Sequence, residues 1–212
     1  MTGPAGAQPR YAGVIFDFFG VLTFNMVEVI TAFEHREKLP AGCFLRAWAD
    51  PRGQEAFRDI ELGRISQTEW NARFGALMGV SADNLMGRYL HDAFPAYSVL
   101  KVARQAREHG IKTAVLSNSL GREPYDPYAG FDLHGTFDAV ILSAEHGIRK
   151  PDPAIFQLAL DRIGVPAREC LFVDDSEDNL AAAHKIGMTP LLALDEVVAA
   201  RRLRELLRLP DL

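Results

Sequence analysis

The sequence predicts an α/β protein, a parallel sheet covered by helices on both faces and interrupted by one inserted helical unit. Two observations carry that prediction. Short apolar runs ending in a polar residue recur along the chain, and segments of helical period fill the intervals between them, which is the pattern of strand–helix–strand crossovers. One interval, from about Asn25 to Pro95, breaks the alternation with several helical segments and no convincing strand.

Val14-Ile15-Phe16 is the first apolar run; it ends in Asp17 and reaches Gly20, as a buried strand entering a turn does. Thr113 to Leu116 ends in Ser117-Asn118. Ala139 to Leu142 is followed by Gly147 and Lys150, and Cys170 to Val173 ends in Asp174-Asp175. A weaker fifth run is Leu191-Leu192-Ala193. Between them, Ile155, Phe156, Ala159, Leu160 and Ile163 repeat at helical spacing, with Asp152 as N-cap, Pro153 at the first helical position and Gly164 past the end. Gly110 closes a helix starting near Tyr97, and Gly187 closes one starting near Ser176. Within the inserted interval, Ser66-Gln67-Thr68-Glu69 reads as a capping box, and Ser81 is expected to cap the next helix. The division that results is a disordered tail over 1–10, a core over 11–24 and 96–212, and a helical unit over 25–95.

Composition bounds the function. Of 212 residues, 48% are hydrophobic, enough for a sizeable core and too many for a disordered chain. With 23 basic and 28 acidic residues the net charge is -5, which argues against a nucleic-acid or anionic-membrane surface. A small anionic substrate would need locally placed cations. The longest stretch free of Asp, Glu, Lys and Arg runs only from Phe18 to Val27, about half a membrane span. Met1 to Pro9 has neither the basic start nor the apolar middle of a secretory signal. Cys43 and Cys170 are far apart and outside any Cys-x-x-Cys pattern, so two reduced thiols in a cytoplasmic protein are expected. The six histidines show no metal-ligand spacing.

In a parallel α/β sheet the carboxyl ends of the strands face one crevice, where ligands bind. Asp17, Ser117, Lys150 and Asp174-Asp175 all follow apolar runs. Each has an ordinary explanation alone, as a turn residue, a cap or a solvated cation. Their recurrence at the same strand ends points to a site.

Four ordered pieces make a resemblance specific: Val14 to Leu22 around Asp17, Val115 to Asn118, Lys150 to Phe156, and Leu171 to Asn179 around Asp174-Asp175. With them the chain resembles the haloacid dehalogenase superfamily of aspartate-nucleophile hydrolases, over nearly everything after the tail. Glu61 to Glu69 also resembles a segment of members whose helical cap sits between the first two core motifs. The resemblance implies a Rossmann-like core with an inserted α-helical cap domain. It makes Asp17 the nucleophile that forms a covalent aspartyl intermediate, with Ser117 and Lys150 holding the transferring group. The phosphate or substrate set it implies is the backbone at Phe18 and Phe19 together with Ser117, Asn118 and Lys150. Only five lysines stand against eighteen arginines, so a lysine at position 150 is an uncommon choice in this chain.

Asp17, Asp174 and Asp175 converging without a cation would repel one another and raise a carboxyl pKa. Mg²⁺ relieves that, and Asp17, the Phe19 carbonyl, Asp174 and Asp175 form its implied ligand set, with Asp174 direct or one step behind. The sequence departs from the family at Phe19, where phosphatases carry a second aspartate as general acid and base. General acid–base help is commonly worth about 10² to 10⁴ in rate, so alkyl phosphates should turn over slowly unless another group substitutes. Dehalogenases of the family often have an aromatic residue here but usually lack the acidic pair. The expected function is therefore an Mg²⁺-dependent, phosphatase-like hydrolase of a small phosphorylated metabolite. A metal-free 2-haloacid dehalogenase is the alternative, and a catalytically weak binder of a ligand or protein is the reading of another class.

Overall fold

The computed structural model describes residues 11–210; the tail expected over 1–10 lies outside the described residues. Five strands, β1 (Gly13–Phe16), β2 (Lys112–Ser117), β3 (Ala139–Leu142), β4 (Cys170–Asp174) and β5 (Thr189–Leu192), pair in parallel in the order β3-β2-β1-β4-β5. The chain leaves the central strand β1 towards β3, then returns to the other side as β4. Phe16 is level with Val115 of β2 and with Val173 of β4, so Asp17, Ser117 and Asp174 reach the same end of the sheet. Strand order reverses between β1 and β4, the place where such sheets open a crevice.

Between β1 and β2 come α1 (Met26–Arg36), α2 (Cys43–Ala49), α3 (Pro51–Glu61), α4 (Gln67–Met78), α5 (Leu85–Tyr89) and α6 (Tyr97–Glu108). After β2 come α7 (Leu133–Thr136), α8 (Ser143–His146), α9 (Pro153–Ile163), α10 (Glu177–Lys185) and α11 (Glu196–Leu207). Alternation along the strands sorts the core. Val14 and Phe16 face a cluster completed by Val102 and Ala106 of α6 and Leu203 of α11, while Ile15 faces Phe156 of α9 and Ala183 of α10. Both faces of the sheet are therefore covered, as the apolar runs require. Pro190 lies in β5, an edge strand, where its missing N–H costs no ladder bond on the outer side.

The ends of α9 match the sequence reading: Asp152 accepts the Ala154 N–H at 2.9 Å, Pro153 opens the helix and Gly164 ends it in the left-handed region. The capping box is half formed. Ser66 Oγ accepts the Glu69 N–H at 3.2 Å, but the Glu69 carboxylate turns along α4 to Arg73 at 2.5 Å. Ser81 does not cap α5. Its hydroxyl accepts from Asp83 within the preceding turn, and α5 opens at Leu85 after Asn84. The misreading has a local cause, since a serine hydroxyl serves a turn as well as a helix start.

The helices α1 to α5 form an insertion with its own core of Phe33, Phe44, Trp70 and Phe74; the Trp70 and Phe74 rings stack at 4.8 Å. The chain enters and leaves it side by side, with the Phe24 N–H on the Phe94 oxygen and the Ala96 N–H on the Leu22 oxygen, both at 2.9 Å. Gln67 ties it to the core. Its buried amide donates to the Leu120 and Tyr125 oxygens at 2.9 and 2.8 Å and accepts the Tyr125 N–H at 3.0 Å. Cys43 and Cys170 are free. Among the described residues no helix is long and apolar enough to cross a membrane.

Gln67→Leu keeps much of the side-chain volume but strands these backbone groups, so it should cost about 1–3 kcal/mol for each group left buried and unpaired. Urea unfolding of the variant measures this, and a change near zero would mean that water replaces the amide.

Candidate active site

Asp17 is the first residue past β1, and its N–H donates to the Val173 oxygen at 2.8 Å, so the turn begins inside the sheet. The turn then closes on itself: the Phe18 oxygen accepts the Leu22 and Thr23 N–H groups at 2.9 and 3.1 Å. Gly20 has φ +79°, and a Cβ there would lie 2.3 Å from Asp175 Oδ2. Glycine is needed both for the left-handed backbone and for the approach of Asp175.

Lys150, only 1% exposed, reaches between two carboxylates, with Nζ 2.7 Å from Asp17 Oδ1 and 2.8 Å from Asp174 Oδ2. The Phe172 ring lies beneath the ammonium, its centroid 5.5 Å away. Asn118 holds the backbone of Lys150 in place: its carbonyl accepts the Lys150 N–H at 2.8 Å and its amide donates to the Lys150 oxygen at 3.1 Å. Asp174 is fully buried. Besides Lys150 it accepts the Ser176 N–H at 2.8 Å and the Asn179 amide on both oxygens. Ser117 is also fully buried, its hydroxyl 3.0 Å from that of Tyr128. Burial pushes the Tyr128 phenol up to about 12, so it remains a donor.

Asp17, Asp174 and Asp175 each offer an oxygen within 4.8 Å of the others, as a metal ion would require. Burial pushes Asp17 up to about 8, with Lys150 opposing and the two neighbouring aspartates adding. Burial and Asp174 raise Asp175 to about 6. For Lys150, burial works against the charge, but Asp17 and Asp174 outweigh it and hold the ammonium above its usual range. Three carboxylates against one ammonium leave a surplus of negative charge.

Asp17, Phe19, Asn118, Lys150 and Asp175 open onto a cavity of about 300 Å³, walled on the insertion side by Met26, Trp48, Phe57, Glu61 and Tyr89. Phe18 does not reach it through its ring, which is buried against Tyr128 and Phe131; its N–H donates to Asp17 Oδ1 at 2.6 Å. Phe19 is half-buried and lines the cavity, at the position where the family's phosphatases would carry a second carboxylate. No histidine belongs to the acidic cluster. Arg36 pairs with Asp92, and Arg64 and Arg73 with Asp59, which occupies them on the surface of the insertion.

Three contributors escaped the sequence reading. Tyr128 could not be paired with Ser117 because the loop between them has no periodicity. Asn179 sat in a recognised segment without a role, and Glu61 began another, its arrival at the cavity depending on how the insertion docks.

The profile of the family described as haloacid dehalogenase-like hydrolase matches residues 11–187. The chain belongs to this family. It is 36% identical over 187 residues to a phosphatase of Mycobacterium tuberculosis, covering 85% of the chain and 86% of that protein. It is 24% identical to an (S)-2-haloacid dehalogenase of Pseudomonas putida, covering 82% and 81%. A mouse acyl-CoA dehydrogenase family member 10 is 30% identical over 94% of the chain, which spans 19% of that protein's length. Among solved structures, a haloacid dehalogenase family enzyme of Bacteroides thetaiotaomicron has a TM-score of 0.60 at 25% identity, covering 86% of this chain and 93% of that one. The same enzyme has been solved in complex with magnesium and inorganic phosphate, a form with TM-score 0.57 at 23% identity. The helical insertion between β1 and β2 is where members with a cap of this type carry it.

The raised carboxyls make the stability of the metal-free protein depend on pH. The folded protein keeps protons on Asp17 and Asp175 that the unfolded chain, with carboxyls near 3.8, has already released. Stability in chelator should therefore fall as pH rises from about 4 to about 8. Urea unfolding across that range tests it, and Asp17→Asn should flatten the fall; an identical slope in wild type and variant would contradict this account of the site.

Proposed function

We propose that this protein is an Mg²⁺-dependent, phosphatase-like hydrolase of a small phosphorylated metabolite, with residues 25–95 as its cap. One observation carries the reading: a carboxylate at the end of the central strand faces a cavity, held by a buried lysine that also holds Asp174. The donor set suits Mg²⁺, which takes oxygen ligands and tolerates water in its shell. Asp17, Asp175 and the Phe19 carbonyl would hold the ion, and Asp174, its oxygens taken by Lys150, Ser176 and Asn179, would orient Lys150 behind them. When bound, the ion would offset the surplus carboxylate charge and polarise the phosphoryl oxygens.

The chain's own residues do the rest. Lys150 positions the phosphoryl group and stabilises its negative oxygens, while Ser117, its hydroxyl aligned by Tyr128, and the Phe18 and Phe19 backbone complete the cradle. Asp17 attacks phosphorus, the bond to the ester oxygen breaks, and an aspartyl phosphate forms. Water then attacks that phosphorus, releasing inorganic phosphate and restoring Asp17. Lys150 itself is almost out of contact with water, which would strengthen its contact with phosphate.

Phe19 favours a second reading, 2-haloacid hydrolysis, in which a halide leaves without needing a proton. Against it, a haloacid brings a carboxylate of its own. Lys150 is the only cation among the described residues that line the cavity, and it already serves two aspartates.

Asp17→Asn should abolish turnover of aryl phosphates while leaving the fold intact by circular dichroism. Multiple turnover by the purified variant would rule out a covalent aspartyl intermediate.

Asp175→Ala should weaken Mg²⁺ binding in titration calorimetry far more than it alters folding. A wild type that releases halide from 2-haloacids in chelator, binds no Mg²⁺ and spares phosphate esters would transfer the assignment to the dehalogenase reading.

A further inference from the structure

With Phe19 in place of an aspartate the proposed reaction has no proton source, yet the cavity wall holds one carboxyl group not used so far. It is Glu61, the last residue of α3. Its backbone oxygen accepts the Ser143 hydroxyl at 2.5 Å and its carboxylate pairs with Arg149, so the end of α3 is fixed to the core at two points. Just beyond, Gly63 has φ +67° and lies so near α8 that a Cβ would come within 2.4 Å of the Ala144 oxygen. These contacts seat the loop against the core and keep Glu61 at the cavity onto which Asp17 and Lys150 open.

Other polar groups that line the cavity are committed. The Asn118 amide holds the Lys150 backbone, and the Asn179 amide donates to Asp174. Burial makes the Tyr89 phenol a weaker acid than usual, and none of the residues that line the cavity is a histidine.

We infer, resting on the phosphatase reading, that Glu61 is the general acid and base of this site in place of the residue lost at Phe19. As Asp17 attacks phosphorus and the ester P–O bond breaks, the bonding pair leaves on the ester oxygen and the Glu61 proton goes to it. The Glu61 carboxylate then takes a proton from the water whose oxygen attacks the aspartyl phosphate. Phosphate departs, Asp17 regains its carboxylate and Glu61 is protonated again, so the cycle closes. Burial pushes the Glu61 carboxyl up to about 7 against the opposing pull of Arg149 and Lys150, the charged groups that act on it. A group that must give and then take a proton works best near that value at neutral pH.

A mere latch between α3 and the core would also explain the Arg149 pair, and leaving-group dependence separates the two roles. The test measures kcat/KM for p-nitrophenyl phosphate and for a simple alkyl phosphate, with Mg²⁺, in wild type, Glu61→Gln and Arg149→Met. Glu61→Gln keeps an acceptor for Arg149 but has no proton to exchange. It should lower alkyl-phosphate kcat/KM by about 10² or more while the activated aryl ester changes little. Arg149→Met should lower both by a common factor. If Glu61→Gln lowers both substrates equally, or neither, Glu61 is not the acid. Should the glutamine variant fail to fold, Glu61→Asp, which draws the carboxyl back by one methylene, gives the same comparison. A wild type inactive on the aryl ester itself would instead overturn the phosphatase reading beneath.

Discussion

A single ammonium group, Lys150 Nζ, sits between Asp17 and Asp174 with almost no contact with water, and much of the molecule is arranged to make that tolerable. Burying a charge is costly unless it is paired and its partners are satisfied in turn. The pairing draws on three separate parts of the chain. Asp17 comes from the end of β1, Asp174 from the end of β4, and Lys150 from the segment between α8 and α9. Asn118, past β2, fixes the lysine backbone, and Asn179 in α10 fixes the far side of Asp174. The strand order that sets β4 beside β1 is what allows the two aspartates to share one lysine.

The helical insertion closes the site from the other side. Its docking uses linked polar contacts: the Gln67 amide satisfies Leu120 and Tyr125, the Glu61 oxygen takes the Ser143 hydroxyl, and Ser143 Oγ in turn accepts the Ser119 N–H. Leu120 meanwhile belongs to the apolar core of the insertion, so one loop after β2 serves both bodies. Loop and insertion are therefore placed together, and the cavity that results is polar at the sheet end and mostly apolar on the insertion side.

Phe19 has a structural setting as well as a chemical consequence. Its ring contacts those of Phe18 and Tyr128, extending an aromatic group that also backs the Ser117 hydroxyl. An aspartate there would place a fourth carboxyl beside Asp17, Asp174 and Asp175. The aromatic ring avoids that added repulsion and has no proton to exchange.

Much of this was legible without coordinates. Alternation of apolar runs and helical segments identified the parallel sheet, because buried strands and amphipathic helices impose different periods on the chain. Asp17, Ser117, Lys150 and Asp174-Asp175 stood out because they follow those runs. Helix ends marked by Asp152, Pro153 and Gly164 were readable since capping is a local interaction. Ser81 misled for the same reason: a local signal cannot tell a turn from a helix start. The pairing of Ser117 with Tyr128, the clamp of Asn118 on Lys150 and the arrival of Glu61 at the cavity were decided by tertiary structure alone. Tyr128 follows Ser117 by only eleven residues, but through a loop without periodicity; Asn118 meets Lys150 across thirty-two residues, and Glu61 arrives only through the docking of the insertion, so none of the three leaves a periodic trace in the sequence.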